Sequence, residues 1–234
     1  MKQLINFFSD KRIARVLDVG TGPGHFIKVL QEAFPGATIT GVDPDEDSLK
    51  KATETYPDAE FRQMSGEGLD FENDRFDVAS ISMALHHLSD VQQTLLEMKR
   101  VVRPGGWIIV NELFSDQQSP AQEVHKRMHH FRSRIDRMNG ITHNEAFTRK
   151  EIVELIEKAG LFIELKFEFQ NPARTPSPEE IEERKSKLRE ALRQIKGRPE
   201  YNEMATEIPE IETALEKHGF EMATRLVGVA RVKK

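Results

Sequence analysis

Three glycines, Gly20, Gly22 and Gly24, stand at every second position behind Asp18, with Thr21 between the first two. Glycines so spaced leave no β-carbons to keep a ligand off the backbone. A second acid, Asp43, follows the last of them by 19 positions, with Pro44 behind it. A carboxylate at that distance from a glycine-rich turn is placed to accept the two hydroxyls of a ribose. Asp18 at the mouth of the loop argues against a pyrophosphate, which prefers helix-terminal amides with no anion nearby. The pair therefore suits a nucleoside with a positively charged end. A second set of reactive side chains is imidazole-rich: His86 and His87 after an apolar run, and His125, His129, His130 and His143 among Arg127, Arg132, Arg134 and Arg137. A neutral imidazole takes a proton from a hydroxyl or amine near pH 7, and it also ligates metals.

The elements that must position these residues follow from periodicity. An apolar run at 14–19 reads as a strand, and Phe26, Ile27, Leu30, Ala33 and Phe34 open a helix. The loop thus occupies the first strand-to-helix turn of an α/β sheet, where such folds bind nucleotides. Further strands are expected at 37–42, 60–64, 76–83 and 107–110, with helices at 45–55 and from Ser89 or Asp90 to Val102. Arg103, Pro104, Gly105 and Gly106 read as a turn. Residues 1–12 form a short amphipathic helix that packs on the domain or over its ligand cleft. Downstream, a helix is expected from Pro120 to Met138, and a capping box at Thr148–Glu151 starts another that stops at Gly160. An alternating strand covers 161–169, a proline-started helix runs from Pro178 to Lys196, a short helix spans 208–217, and a last strand lies at 224–232.

S-adenosylmethionine has the ammonium, the sulfonium and the ribose that the loop and its two acids suit. From Arg15 to Val110 the chain resembles the class I methyltransferases that use this cofactor, particularly the small-molecule group of ubiquinone/menaquinone type. The resemblance implies a Rossmann-like α/β fold: a seven-stranded, mostly parallel sheet with a reversed last strand and helices on both faces. It implies one domain over 1–234, with a helical acceptor-side cover at 115–147 and a helical insertion at 171–218. Asp18 and Gly20 would hold the amino-acid end, Gly22 and Gly24 would admit it, and Asp43 the ribose, with Pro44 against the adenine. Met64 to Phe71 resembles the adenine-edge loop, where the family usually has an aspartate at the place of Ser65. Ser65 accepts that bond more weakly, or Glu67 replaces it, and the Gly66 and Glu67 amides are available to the ring. The run Ala84-Leu85-His86-His87-Leu88 resembles a signature of small-molecule methyltransferases. It places Met83 against the cofactor and His86 and His87 toward the acceptor as candidate bases. It lacks the Asn/Asp-Pro-Pro-Tyr motif of amino-directed DNA enzymes.

Glu112, His125, His129 and His143 are the candidate acceptor-binding residues, for an anionic or aromatic small molecule. The i, i+4 spacing of His125 and His129 also suits a divalent metal, with His87 or Glu112 as a third ligand. A protein that binds the cofactor without turnover is the other alternative. Ile181, Leu188, Leu192 and Ile195 form a stripe that packs within the chain or seams a homodimer.

Composition narrows the class. The 234 residues carry a net charge of −5, against a broad nucleic-acid footprint. No apolar window has the length of a membrane span, and no cleavage site follows the first residues, so a cytoplasmic protein is expected. There is no cysteine. That excludes thiol-attacking pyrimidine C5 methylation and iron–sulfur radical chemistry.

Overall fold

The computed structural model describes residues 1–172 and 174–233. Seven strands, β1 (Arg15–Val19), β2 (Thr38–Asp43), β3 (Glu60–Gln63), β4 (Phe76–Ser82), β5 (Val102–Leu113), β6 (Phe162–Phe169) and β7 (Arg225–Arg231), form one sheet in the order β3-β2-β1-β4-β5-β7-β6. The pairs β1–β2, β1–β4, β2–β3 and β4–β5 are parallel. β7 runs against β5: the Gly105 amide donates to Val232 and the Val232 amide to Gly106 at one end, and Phe114 donates to Thr224 at the other. This is the expected Rossmann-like sheet with a reversed last strand. The strand order reverses direction at β1 and β4, which opens a crevice at their carboxyl ends, where the glycine loop lies.

The helices are α1 (Lys2–Phe8), α2 (Ile27–Ala33), α3 (Glu46–Thr55), α4 (Val91–Val101), α5 (Pro120–Met138), α6 (Arg149–Lys158), α7 (Pro178–Arg193) and α8 (Tyr201–His218). The chain separates into two compact units. The first comprises residues 1–112, 150–169 and 226–234, and the second 113–149 and 170–225. The segments 115–147 and 171–218 both fall in the second.

In the first unit, α1 packs on the core: Leu4 and Phe8 are buried with Phe26, Ile27, Leu30, Phe34 and Trp107. The Phe8 ring stands edge-on to Phe34 at 4.8 Å and to Trp107 at 5.6 Å, a preferred aromatic geometry. Asp45 caps α3 by accepting from the Ser48 amide, and Asp90 caps α4 by accepting from the Gln93 amide.

In the second unit, α5 begins at Pro120 as expected, with a capping box between Ser119 and Gln122. The α7 stripe faces inward. Leu188, Leu192 and Ile195 are buried against Phe131 and Ile135 of α5 and Met204, Ile208 and Ile211 of α8.

Two expectations shift. The turn proposed at 103–106 belongs to β5, because its backbone is claimed by β7. Gly106 is required there, since a Cβ would lie 2.5 Å from the Asp77 carbonyl. The helix expected at 208–217 begins seven residues earlier, at Tyr201, and carries Pro209 inside it. An interior proline costs about 3 kcal/mol; burial of Met204 and packing of Tyr201 against the same core offset it. Among the described residues, no helix is long and apolar enough to cross a membrane.

The α7 packing gives a direct test. Leu188→Ala is expected to lower unfolding free energy in urea by about 2–5 kcal/mol. Ile181→Ala, at the half-buried start of the same stripe, should cost less than half of that. Equal losses would contradict the inward orientation.

Candidate functional site

The crevice of the first unit is built on a backbone that favours glycine. Gly20, Gly22 and Gly24 have φ of +65°, +50° and +87°, a region that costs other residues about 1–2 kcal/mol. Two of the three are also crowded: a Cβ on Gly20 would lie 2.7 Å from the Ala84 Cβ, and one on Gly24 2.8 Å from the Tyr56 ring. A Cβ on Gly22 would meet no atom within 4 Å. The loop is therefore wedged at its ends and open at its middle, the shape of a cradle for a ligand lying on the main chain.

Asp43, half-buried at the end of β2, ties this loop down. Its Oδ2 accepts from the Gly22 amide at 2.8 Å and its Oδ1 from the Asp45 amide at 2.9 Å. Each carboxylate oxygen keeps a second lone pair for a ligand hydroxyl. The Thr21 amide adds a bond to the Val42 carbonyl. Pro44 is exposed beside Asp43, and its carbonyl accepts from Gln63.

Asp18 is 1% exposed. Parallel pairing of β1 with β4 sets it opposite Ser80, whose hydroxyl donates to Asp18 Oδ1 at 2.7 Å. Burial pushes the Asp18 carboxyl up to about 6, against the opposing pull of that hydroxyl. Such a group is poised for a cation, which would restore its charge.

The adenine-edge candidates split. Ser65 is exposed, and its hydroxyl accepts from the Glu67 amide. Gly66 is buried, with no room for a side chain beside Val19 and Thr94. The Glu67 carboxylate turns to the start of α4, accepting from the Ser89 hydroxyl and amide and from the Asp90 amide. These bonds, the Ser89 hydroxyl first, lower its pKa. The structure thus uses Glu67 as a clamp on the chain entering α4.

At the end of β4, Met83 adopts φ +56°. A non-glycine residue there is strained, as functional sites often are. Its amide donates to the Asn111 carbonyl, and the Asn111 side chain donates to Ser82. A single 3-10 turn, Leu85–His87, follows. His86 is buried and His87 exposed, their rings 4.3 Å apart. Glu112, at the end of β5 and 1% exposed, holds the turn with both oxygens: Oε1 lies 3.0 Å from His86 Nδ1, and Oε2 accepts from the Leu85 amide at 2.9 Å. Glu112, expected to bind an acceptor, therefore orients His86. With a proton on Nδ1 facing the carboxylate, the basic lone pair of His86 is on Nε2.

The second unit holds the remaining imidazoles. His125 and His129 share a face of α5, with ring centroids 6.2 Å apart. His125 Nδ1 accepts from the Ala223 amide, and its ring meets Phe220 edge-on. His129 pairs instead with His143, Nε2 to Nε2 at 3.1 Å. His143 Nδ1 lies 2.7 Å from Asp136 Oδ2. Ser80 and Asp136 were not singled out in the sequence. Ser80 depends on strand register. Asp136 carries a signal, since it follows His129 by seven residues, two helical turns, and so shares its face.

Comparison with known proteins gives a consistent picture. The sequence model of a family described as "Methyltransferase domain" matches residues 1–165. An uncharacterized methyltransferase of Schizosaccharomyces pombe is 32% identical over 139 residues, covering 54% of this chain and 50% of the relative. A demethylmenaquinone methyltransferase of Chlorobaculum parvum is 27% identical over 150 residues, 63% of this chain and 60% of the relative. The chain thus spans half to three fifths of the length of these curated relatives. A crystal structure of a SAM-dependent methyltransferase from Methanosarcina mazei superposes with a TM-score of 0.62 at 16% identity, covering 98% of this chain and 97% of that one.

The Glu112 clamp is testable. In Glu112→Gln the side-chain oxygen must go to the Leu85 amide, which can only donate. The amide NH₂ then faces His86 Nδ1 and moves the imidazole proton to Nε2. Nitrogen NMR of the His86 ring should show this tautomer change; an unchanged tautomer would refute the clamp.

Proposed function

We propose a function for this chain from one premise: it belongs to the methyltransferase-domain family. The reading is methyl transfer from S-adenosylmethionine to an oxygen, nitrogen or carbon of a small molecule. The observation that carries it is the loop at 20–24, wedged at Gly20 and Gly24, open at Gly22 and flanked by Asp18 and Asp43. These residues fit the cofactor: a carboxylate for the ribose, a buried carboxylate for a cation, and bare backbone between them. The cofactor, when bound, supplies a methyl group already activated on a sulfonium.

The chain's own residues would then do little bond chemistry. Gly22 keeps the backbone open, and Asp43 fixes the loop and would accept from the ribose. Asp18 would hold the ammonium. Met83 and Pro44 would bound the nucleoside. His86, oriented by Glu112, takes the proton from an acceptor hydroxyl or amine onto Nε2, and exposed His87 lines the approach. Positioning and exclusion of water supply the rest of the rate. A relative named for demethylmenaquinone favours a small-molecule acceptor. The His- and Arg-rich segment from His125 to His143 favours one that is anionic or aromatic.

Calorimetric titration with S-adenosylhomocysteine tests the cofactor site. Asp43→Ala is expected to weaken binding by about 1–3 kcal/mol, the value of a buried polar partner; unchanged affinity would remove the ribose assignment. The pH profile tests Asp18. Free Asp18 titrates at about 6, and a bound ammonium lowers that value by favouring the ionised form. Affinity should therefore be flat above about pH 7 and fall as pH drops through 6, by up to about tenfold per unit. Asp18→Asn should flatten the profile; the same slope in that variant would refute the assignment. Turnover assays then separate enzyme from binder. His86→Ala should lower kcat with little change in cofactor affinity, whereas saturable binding without methylated product across alcohol, amine and quinol acceptors would reject the catalytic reading.

A further inference from the structure

The second unit carries a group of side chains whose mutual geometry points to a ligand of its own. His129, Asp136 and His143 follow one another at intervals of seven residues. The first interval lies on α5 and spans two turns, so His129 and Asp136 share a face. The second interval leaves the helix. Gly140 adopts φ +78°, and the Ile141 amide donates back to the Asp136 carbonyl. This turns the chain against α5. Arg137 fixes the returning segment by donating to the His143 carbonyl at 2.7 Å. His143 thereby reaches Asp136 with Nδ1, at 2.7 Å, and His129 with Nε2, at 3.1 Å. The two rings stand 83° apart, with centroids at 4.8 Å.

A carboxylate on Nδ1 holds the imidazole proton there and turns a lone pair out on Nε2. This is how carboxylates orient metal-bound histidines. The His129–His143 separation suits the same purpose. With metal–nitrogen bonds of about 2.0–2.1 Å, two nitrogens 3.1 Å apart subtend an angle of about 98° at a shared ion, within the range of a distorted tetrahedral site. The Arg132 guanidinium lies 2.8 Å from the other oxygen of Asp136, in ion-pair range. Two neutral imidazoles select borderline ions of the cobalt–nickel–zinc series over magnesium or calcium, which require oxygen ligands.

We propose that His129 and His143 chelate a divalent transition-metal ion through Nε2, with Asp136 as the positioning residue for His143. The two imidazoles fill half of a four-coordinate shell. The other half remains for water or for an oxygen of a bound molecule. His129, Asp136 and His143 all belong to the second unit, and the proposal does not depend on the methyltransferase reading.

The test uses the full chain without a histidine tag, stripped with chelator and titrated with Co²⁺. The absence of cysteine leaves no thiolate to compete or to colour the spectrum. One equivalent should bind with visible d–d absorption of low-symmetry cobalt, and Zn²⁺ should displace it. His129→Ala and His143→Gln should each abolish the band, while Asp136→Asn should weaken binding about 10–100-fold. His218→Ala, at the far end of α8, should leave it intact. A melting-temperature rise on adding Zn²⁺, present in the wild type and missing in His129→Ala, gives a second readout, and circular dichroism establishes that each variant is folded. No saturable cobalt binding would overturn the proposal and leave His129 and His143 as a hydrogen-bonded pair. Binding that survives His129→Ala in a folded protein would overturn it equally.

Discussion

The path of the main chain from Gly20 to Gly24 is the constraint on which the first unit depends. Three left-handed residues in five, two with a neighbour too close for any Cβ, leave one way for the backbone to leave β1 and enter α2. The Gly22 amide is tied to Asp43, so the end of β2 and the loop are one object. The Ser80–Asp18 bond does the same between β4 and β1, one strand further along the sheet. Groups on three strands are thus fixed relative to one another by hydrogen bonds to buried or half-buried carboxylates. Such bonds are expensive to leave unmade.

The same principle recurs elsewhere in the first unit. Glu112 joins the end of β5 to the turn that carries His86, and Glu67 joins the 64–68 loop to the start of α4. Glu112 does so almost fully buried, and Glu67 half-buried. Each ties a connecting segment to a neighbouring element. A shared use of acids as internal struts holds the side chains of a loop-lined crevice in place.

Much of this was legible in the chain because it is local. The glycine spacing, Asp43 and the alternation of 161–169 are short-range patterns with single physical meanings. So is the Ser119-Pro120 start of α5, which falls where its capping chemistry puts it. What escaped depends on distant partners. Arg103 to Gly106 carries every mark of a turn, yet Gly105 and Gly106 exchange backbone bonds with Val232, just past β7. The first two turns of α8 lie ahead of Pro209 and gain their stability from α5 and α7, which no window of eighteen residues contains. Ser80 lines up with Asp18 only once β1 and β4 are in register. Glu67 and Glu112 were visible as acids, but their engagement with Ser89 and His86 is tertiary.

The placement of β7 has a consequence for assembly. It lies between β5 and β6 in the sheet, although it is synthesised after both and after the whole of the second unit. While the ribosome is still translating the intervening helices, β5 is an unpaired edge and β6 has no neighbour to join. The nascent protein therefore exposes hydrogen-bonding edges for the time it takes to make residues 170–225, and chaperone dependence during biogenesis should track the length of that interval.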